Sequence, residues 1–168
     1  MNKWKVGVLL SVFGFLGVIN PIHAQEGNGN KIHYINVSPT NLGSDAILLE
    51  SNGHYAMIDT GEDYDFPDGS DPRYPYHDGT NTDYRNVMTE RVMRHLKNVG
   101  VETLDFILIT HAHSDHIGNA DELMENFNVN KVYMKRYSDS RITDKERLWD
   151  SQYNYDKVLA VASQKGIP

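Results

Sequence analysis

The chain has 168 residues, of which 39% are hydrophobic, and its 23 Asp and Glu residues outnumber its 16 Lys and Arg residues, giving a formal net charge of −7. This composition is typical of a single acidic soluble domain. An acidic surface repels the phosphate backbone, so we expect no nucleic-acid partner. Because the chain contains no cysteine, the sequence excludes disulfides, thiol nucleophiles and Cys-ligated metal centres. Any bound metal must use His and carboxylate ligands.

Residues 1–24 have the layout of a secretory signal peptide. Lys3 and Lys5 precede an uncharged apolar run at 6–19, and Ala24 is a small residue at the expected cleavage position. The run is shorter than the roughly 20 residues that a spanning helix needs. We expect cleavage after Ala24, no transmembrane span afterwards, and secretion to the cell surface, most simply a Gram-positive cell wall. An uncleaved anchor is the alternative, because Ile22 stands where a smaller residue is preferred.

Short apolar runs follow at residues 32–37, 46–49 and 55–58, and turn residues separate them. They predict an antiparallel meander of three strands. Asn52-Gly53 lies between the second and third runs and predicts a tight hairpin, because both residue types accept positive φ. Residues 61–81 contain acids, prolines and aromatic residues without apolar periodicity. We expect this segment to be a long surface loop.

The second half alternates between predicted helices and strands. Apolar residues near helical spacing predict a helix at 83–98, with Thr82 as its N-cap and Gly100 just beyond its end. The nearly continuous apolar run at 104–110 predicts a strand covered on both faces. A helix at 120–125, a strand at 131–134 and a helix at 155–165 complete the pattern. The predicted fold class is α/β (α+β), a mixed sheet with helices.

Three of the eight histidines fall within residues 111–116, directly after the predicted strand 104–110. Imidazole and carboxylate groups are the ligands that Zn²⁺ takes. A loop that leaves a strand can turn such side chains inward around two ions about 3.5–4 Å apart. We predict that His111 and His113 bind one metal and that Asp115 and His116 bind the other. The alternative is a solvated His-rich turn, which the preceding strand and the following Gly118 disfavour.

The other histidines in the mature chain are isolated in the sequence. A lone histidine is more often an ordinary surface or core residue than a ligand. The sequence therefore predicts no metal-binding role for four of them: His33, His54, His77 and His95.

Two motifs resemble those of the metallo-β-lactamase superfamily. Residues 110–118 read THAHSDHIG and match its His-x-His-x-Asp-His signature, while residues 57–61 read MIDTG and resemble its earlier motif. The resemblance implies an αββα sandwich with the site at the sheet edges, and hydrolysis by a metal-activated water whose pKa falls from about 15.7 to about 7. It also implies that Asp59 supports the metal loop without binding metal and that Asp115 is catalytic.

A narrower similarity, to the teichoic acid phosphorylcholine esterases, is carried by residues 61–71, the histidine motif and residues 135–150, together with the signal peptide. It implies a two-zinc phosphodiesterase that removes phosphorylcholine from cell-wall teichoic and lipoteichoic acids. In those enzymes a Trp- and Gly-rich choline-binding repeat region follows the catalytic domain, whereas Trp4 and Trp149 are the only tryptophans here.

The resemblance also implies further ligands downstream of the first motif, namely a His, a bridging Asp and a last His. No histidine follows His116. We therefore expect residues 25–168 to be the N-terminal part of a truncated hydrolase domain, with half of its metal site, and to be inactive or nearly so alone.

The acidic loop 61–81 offers two predictions. Aromatic faces attract a quaternary ammonium group, so its aromatic residues are candidates for binding choline. The alternative is a solvated loop that could hold Ca²⁺ through Asp63, Asp65 and Asp68, although Pro67 departs from the EF-hand pattern. The candidate choline-binding residues are Tyr64, Phe66, Tyr74 and Tyr76.

Two other functions remain open at the level of sequence. A hydrolase of the same fold could act on nucleic acid, as a competence-type nuclease does, or on a β-lactam or another ester, and the fold alone does not select a substrate. A secreted metal- or choline-binding fragment without turnover is the non-enzymatic alternative.

Overall fold

The computed structural model describes residues 29–38, 43–80, 84–141 and 149–168. The predicted signal peptide and the Thr82 N-cap lie outside the described residues. In chain order the elements are β1 (Asn30–Tyr34), β2 (Ala46–Ser51), β3 (His54–Thr60), α1 (Arg85–Val99), β4 (Thr103–Leu104), β5 (Phe106–Ile109), α2 (Ser114–Ile117), α3 (Ala120–Asn126), β6 (Asn128–Val129), β7 (Val132–Met134), a short 3-10 helix (Asp139–Arg141) and α4 (Ser151–Lys165).

The main sheet has the strand order β1-β2-β3-β5-β7 within the described part of the chain. The first three strands are antiparallel, and β3, β5 and β7 are parallel. A second, two-stranded sheet pairs β4 with β6. This mixed sheet with helices confirms the predicted fold class. No helix in the described ranges is both long and apolar enough to cross a bilayer.

The hairpin between β2 and β3 is confirmed. Asn52 and Gly53 both have positive φ, 51° and 81°, which is the backbone conformation that the tight turn requires. The pairing of Ser51 with His54 closes the hairpin. The predicted three-stranded meander is therefore correct, although β1 ends at Tyr34 and its Ile32 and Tyr34 side chains are 61% and 78% exposed.

Helix α1 is confirmed with one change in its buried face. Met88, Val92 and Leu96 are buried as expected, but Val87 is exposed and Met93 is buried instead. Gly100 ends the helix with φ of 88°, and its N–H donates to the carbonyls of the last turn. This is the left-handed helix end that glycine permits at low cost.

The prediction of one strand over 104–110 is wrong. The chain leaves the small sheet after β4 and enters the main sheet at β5, with Asp105 between them. Asp105 donates its N–H to the Tyr55 carbonyl at 2.7 Å and accepts from His54 at 2.8 Å. In β5, Ile107 and Ile109 are buried while Phe106 and Leu108 are half-buried. One face of this strand is therefore only partly covered.

The prediction of a surface loop at 61–81 is wrong for its first part. Gly61, Glu62 and Asp63 are buried, and Tyr74 is only 8% exposed. The buried Asn119 side chain donates to the carbonyls of three successive residues, 60–62, at 2.9–3.2 Å. These hydrogen bonds offset the free-energy cost of removing the loop carbonyls from water.

A buried ionic cluster joins the same loop to α3 and α4. Lys157 Nζ lies 3.0 Å from Asp63, 2.8 Å from Asp65 and 3.2 Å from Asp121. Burial raises the pKa of Asp63 to about 7 against the attraction of Lys157. Asp63 and Asp121 raise the pKa of Lys157, outweighing the effect of its burial. The ammonium group therefore stays charged and holds three segments together.

Candidate metal centre

The histidine motif lies where two parallel strands end side by side. Strand β3 runs parallel to β5 and ends at Asp59-Thr60, while β5 ends at Ile109 and leads into Thr110 and the motif. The ends of parallel neighbours lie at the same edge of a sheet. This topology brings Asp59 against residues that follow it by more than fifty positions.

The buried Asp59 carboxylate orients the motif. Its side chain is 5% exposed, and its backbone has a positive φ of 53°. It accepts hydrogen bonds from the Thr110 N–H at 2.8 Å, the Thr110 hydroxyl at 2.7 Å and His116 Nδ1 at 2.8 Å. Left-handed backbone at an Asp is unusual, and such strain is typical of functional sites. The supporting role of Asp59 at a metal loop stays a prediction.

Hydrogen bonding assigns the ring nitrogens that face the centre. A carboxylate only accepts, so His116 Nδ1 carries the proton toward Asp59, and in the neutral ring Nε2 presents its lone pair. The Thr110 hydroxyl donates to Asp59 and therefore accepts from His111 Nδ1, 3.0 Å away. His111 Nε2 is then unprotonated as well. Asp59 thus orients His116 directly and His111 through Thr110, an outer-shell arrangement typical of metal-binding histidines.

The three histidines converge. His111 Nε2 lies 3.0 Å from His113 Nδ1, and the His111 and His116 ring centroids are 4.0 Å apart. His116 Nε2 lies 3.7 Å from an Asp115 carboxylate oxygen. Two ligand atoms on one tetrahedral zinc ion are about 3.3 Å apart. The spacing of both pairs is therefore compatible with a metal ion. Burial and the neighbouring His116 and His113 lower the pKa of His111, which favours the neutral imidazole that metal binding needs.

The structure thus brings the predicted ligands together in pairs, His111 with His113 and Asp115 with His116. Their roles as ligands, and the catalytic role of Asp115, stay predictions. The sequence analysis missed Asp45, whose carboxylate lies 3.7 Å from His116 Nδ1 and groups with Asp59 and His116. Asp45 precedes β2 and has no recognisable motif around it, so only the folded chain reveals its position.

Other residues that the sequence analysis missed support the loop from behind. The Asp45 N–H and the Ser44 hydroxyl donate to the Asp115 carbonyl at 3.0 and 3.3 Å. The Thr60 hydroxyl donates to the His116 carbonyl at 3.1 Å. Because these acceptors are backbone carbonyls of the motif, their orientation does not depend on a bound ligand.

Gly118 is required because the backbone of residues 61–63 and of Ser114 lies very close to it. A Cβ at this position would lie 2.7 Å from the Gly61 carbonyl oxygen and the Asp63 nitrogen, and 2.8 Å from the Ser114 carbonyl oxygen. Backbone atoms cannot move aside as a flexible side chain can. Gly118 therefore lets the motif pack directly against residues 61–63.

Replacing Gly118 by Ala is expected to lower the free energy of unfolding by about 2–3 kcal/mol, the cost of overpacking a close contact. Urea denaturation measures it. Gly43→Ala is the matched control, because a Cβ there meets no described atom within 4 Å. Equal stability of the two variants would contradict the close-packing argument.

The four aromatic residues predicted to bind choline do not form one cluster. Tyr64 and Phe66 lie together with ring centroids 5.6 Å apart, and Phe66 contacts Trp149 at 5.4 Å. Tyr74 instead is buried and donates to Asp156 at 2.6 Å, while Tyr76 is 58% exposed.

The residues predicted to bind Ca²⁺ are also separated. Asp63 and Asp65 both contact Lys157, whereas Asp68 accepts the Ser70 N–H at the surface. Asp63 does group with Asp121 and Glu122. The ammonium of Lys157 already supplies positive charge to that group, which is therefore an ion-pair cluster.

A cavity of about 250 Å³ adjoins the motif. It is lined by His111, Ala112 and His113 of the motif and by the segment after β7, with Lys135, Arg136, Tyr137 and Ser138. Among the described residues, neither Lys135 nor Arg136 has a carboxylate partner within ion-pair distance, and both are exposed. The lining of the cavity therefore combines two cations with two histidines.

A family model described as the metallo-beta-lactamase superfamily matches residues 39–161. The chain belongs to this superfamily. Its members are metal-dependent hydrolases that typically bind divalent metals, and the mixed fold found here is consistent with theirs. A search of curated proteins found no match, so the narrower similarity to phosphorylcholine esterases rests on the sequence motifs.

Proposed function

We propose that this hydrolase-type domain is an extracytoplasmic, zinc-dependent phosphodiesterase of the choline-binding protein E type, which removes phosphorylcholine from cell-wall teichoic and lipoteichoic acids. The observation that carries the proposal is the cavity that the histidines and the cationic segment line together. A phosphodiester needs both a metal centre at phosphorus and positive charge to hold its anionic oxygens.

Lys135 and Arg136 supply that charge. A guanidinium binds two oxygens of one phosphate at once, and Lys acts as a point charge beside it. Because the two residues line the same cavity as His111 and His113, they would hold the anionic oxygens of a diester beside the metal centre. A neutral β-lactam or ester would gain less from these cations.

A group of aromatic rings around Trp149 suits the choline group. Trp149 stacks on His77 with a centroid distance of 4.7 Å and contacts Phe66. Its neighbour Asp150 interacts with Ser114 and His113 of the motif. Aromatic faces attract quaternary ammonium groups. Trp149, Phe66 and Tyr64 therefore replace the four-residue set that the sequence alone predicts.

The protein's own contribution to the reaction is orientation. His111, His113, Asp115 and His116 would hold the metal, while Asp59 and Thr110 keep the ring nitrogens directed inward. A bound divalent metal supplies Lewis acidity and lowers the pKa of water. Positioning of the diester against that centre is what Arg136 and Lys135 add.

The proposal is tested by binding, which does not require turnover. Isothermal titration of the zinc-treated protein is expected to show tighter binding of phosphorylcholine than of phosphoethanolamine, which lacks the methyl groups. Arg136→Gln is expected to weaken phosphorylcholine binding about 10- to 100-fold, the value of a charged hydrogen bond. Trp149→Ala should weaken phosphorylcholine binding and leave inorganic phosphate binding unchanged.

Two matched controls accompany these variants. Arg94→Gln removes an exposed arginine of α1 that pairs with Glu90, and Tyr76→Ala removes an exposed aromatic ring. Both are expected to bind as the wild type does. Equal affinity for phosphorylcholine and phosphoethanolamine would contradict the choline assignment, and tighter binding of a short oligonucleotide would favour a nuclease. N-terminal sequencing of exported protein tests secretion, with Gln25 as the expected first residue.

A further inference from the structure

Two histidines that are isolated in the sequence meet on the opposite side of β2 from the motif strands. His33 lies on β1, which pairs with β2, and His95 lies on α1. His95 Nε2 is 3.2 Å from His33 Nδ1, and the rings are edge-on at 75°. The fold therefore brings together two histidines that are far apart in the sequence.

A carboxylate determines the tautomer of His33. Its Nε2 lies 3.0 Å from Glu50 Oε2, while Lys31 donates to the other oxygen of Glu50 at 2.9 Å. Hydrogen bonds from Lys31 and His33 lower the pKa of Glu50, so the carboxylate accepts and His33 Nε2 carries the proton. In the neutral ring, the lone pair of His33 Nδ1 then points toward His95.

This geometry repeats that of the motif. His111 and His113 present facing nitrogens 3.0 Å apart with their rings at 74°. Two ligands on a tetrahedral zinc ion lie about 3.3 Å apart, close to the spacing of both pairs. Burial and the neighbouring His33 lower the pKa of His95, which favours the neutral imidazole that a metal requires.

We propose that His33 Nδ1 and His95 Nε2 form a second site for a borderline divalent cation such as Zn²⁺, with Glu50 as the carboxylate that orients His33. Water completes the coordination from the partly exposed side. Binding transfers the His95 proton from Nε2 to Nδ1 and breaks the hydrogen bond between the rings. No residue of this site belongs to the His111–His116 motif, so the site is independent of the proposed function.

Zinc bound here would link β1 to α1. Strand β1 is at the edge of the sheet and pairs only with β2 within the described residues. A metal bridge to α1 would therefore stabilise that edge, since a ligand that binds only the folded chain raises its stability.

The test uses the full chain and Zn²⁺ alone. Equilibrium dialysis is expected to show that His95→Gln binds one zinc ion fewer than the wild type, and that the lost ion is a weakly bound one. In Glu50→Gln, zinc binding at this site is expected to be about 10-fold weaker, which is the effect of losing an outer-shell partner. His54→Gln is the matched control, because His54 also pairs with a carboxylate, Asp105, but has no second imidazole in the described chain.

Nitrogen-detected NMR of the wild-type imidazoles provides a readout that needs no variant. On zinc addition, His33 Nδ1 and His95 Nε2 are expected to shift together, with His95 changing tautomer. Unchanged zinc stoichiometry in His95→Gln, or unmoved His33 and His95 nitrogen signals at saturating zinc, would overturn the proposal.

Discussion

Replacing Asp115 and His116 together by Ala is expected to remove at least one zinc ion per chain and any hydrolytic activity. The double change deletes the carboxylate and imidazole that face each other across 3.7 Å. It also leaves the buried Asp59 without its His116 partner. A metal site that loses two of its protein ligands has too few left to hold the ion. Elemental analysis of dialysed protein gives the metal content.

The matched control is His54→Ala with Asp105→Ala, which removes the same residue types from an exposed pair at the other end of β3. This control is expected to keep its zinc. Circular dichroism establishes that both double variants are folded. Adding His95→Gln to each protein separates the zinc bound at the motif from the zinc bound at the proposed second site. Unchanged zinc content in the Asp115/His116 variant would refute the ligand assignment.

Replacing Lys157 by Met is expected to lower the free energy of unfolding by about 3–5 kcal/mol, the usual cost of removing one partner from a buried ion pair. The ammonium lies within 3.2 Å of three carboxylates, and the Asp63 side chain is only 1% exposed. Methionine fills similar volume but leaves those charges uncompensated. Urea denaturation at neutral pH measures the loss.

Lys165→Met, on the same helix, is the control because Lys165 is exposed and donates only to the Glu125 carbonyl in the described structure. Its effect is expected to be within about 0.5 kcal/mol. A loss below about 1 kcal/mol in Lys157→Met would show that the cluster is not held by its lysine.

The loss of stability caused by Lys157→Met should also depend on pH. Burial raises the pKa of Asp63 to about 7, and burial with Asp121 raises that of Glu122 to about 9. Because their pKa values are raised in the folded state, these carboxyls hold protons at pH values where the same groups in the unfolded chain have released them. Their protonation therefore stabilises the fold at low pH, and this stabilisation is lost as the pH rises. The deficit is therefore expected to be smaller at pH 5 than at pH 8.

Local signals in the sequence were sufficient for much of the fold. Asn52-Gly53 predicted the hairpin because its turn depends on two residues alone, and the spacing of Met88, Val92 and Leu96 predicted α1 because helical periodicity repeats every few residues. The crowding of His111–His116 after an apolar run likewise identified the candidate site. These features depend on neighbours in the chain.

Contacts between distant segments could not be read in this way. Nothing local in an apolar run indicates that the chain changes sheets at Asp105, since strand pairing depends on partners elsewhere in the fold. The burial of residues 61–63 depends on Asn119 and Lys157, which follow by more than fifty residues. An acidic loop without such partners would have stayed in solvent.

The amino-acid sequence by itself determined which side chains the candidate site contains, because residue types and their spacing are local properties of residues 111–116. Only the tertiary structure decided how those side chains are oriented. Asp59 reaches Thr110 and His116 because β3 and β5 are parallel neighbours, and His33 meets His95 because α1 packs beside the sheet edge. Burial and hydrogen bonding act across space, so they appear only when the chain folds.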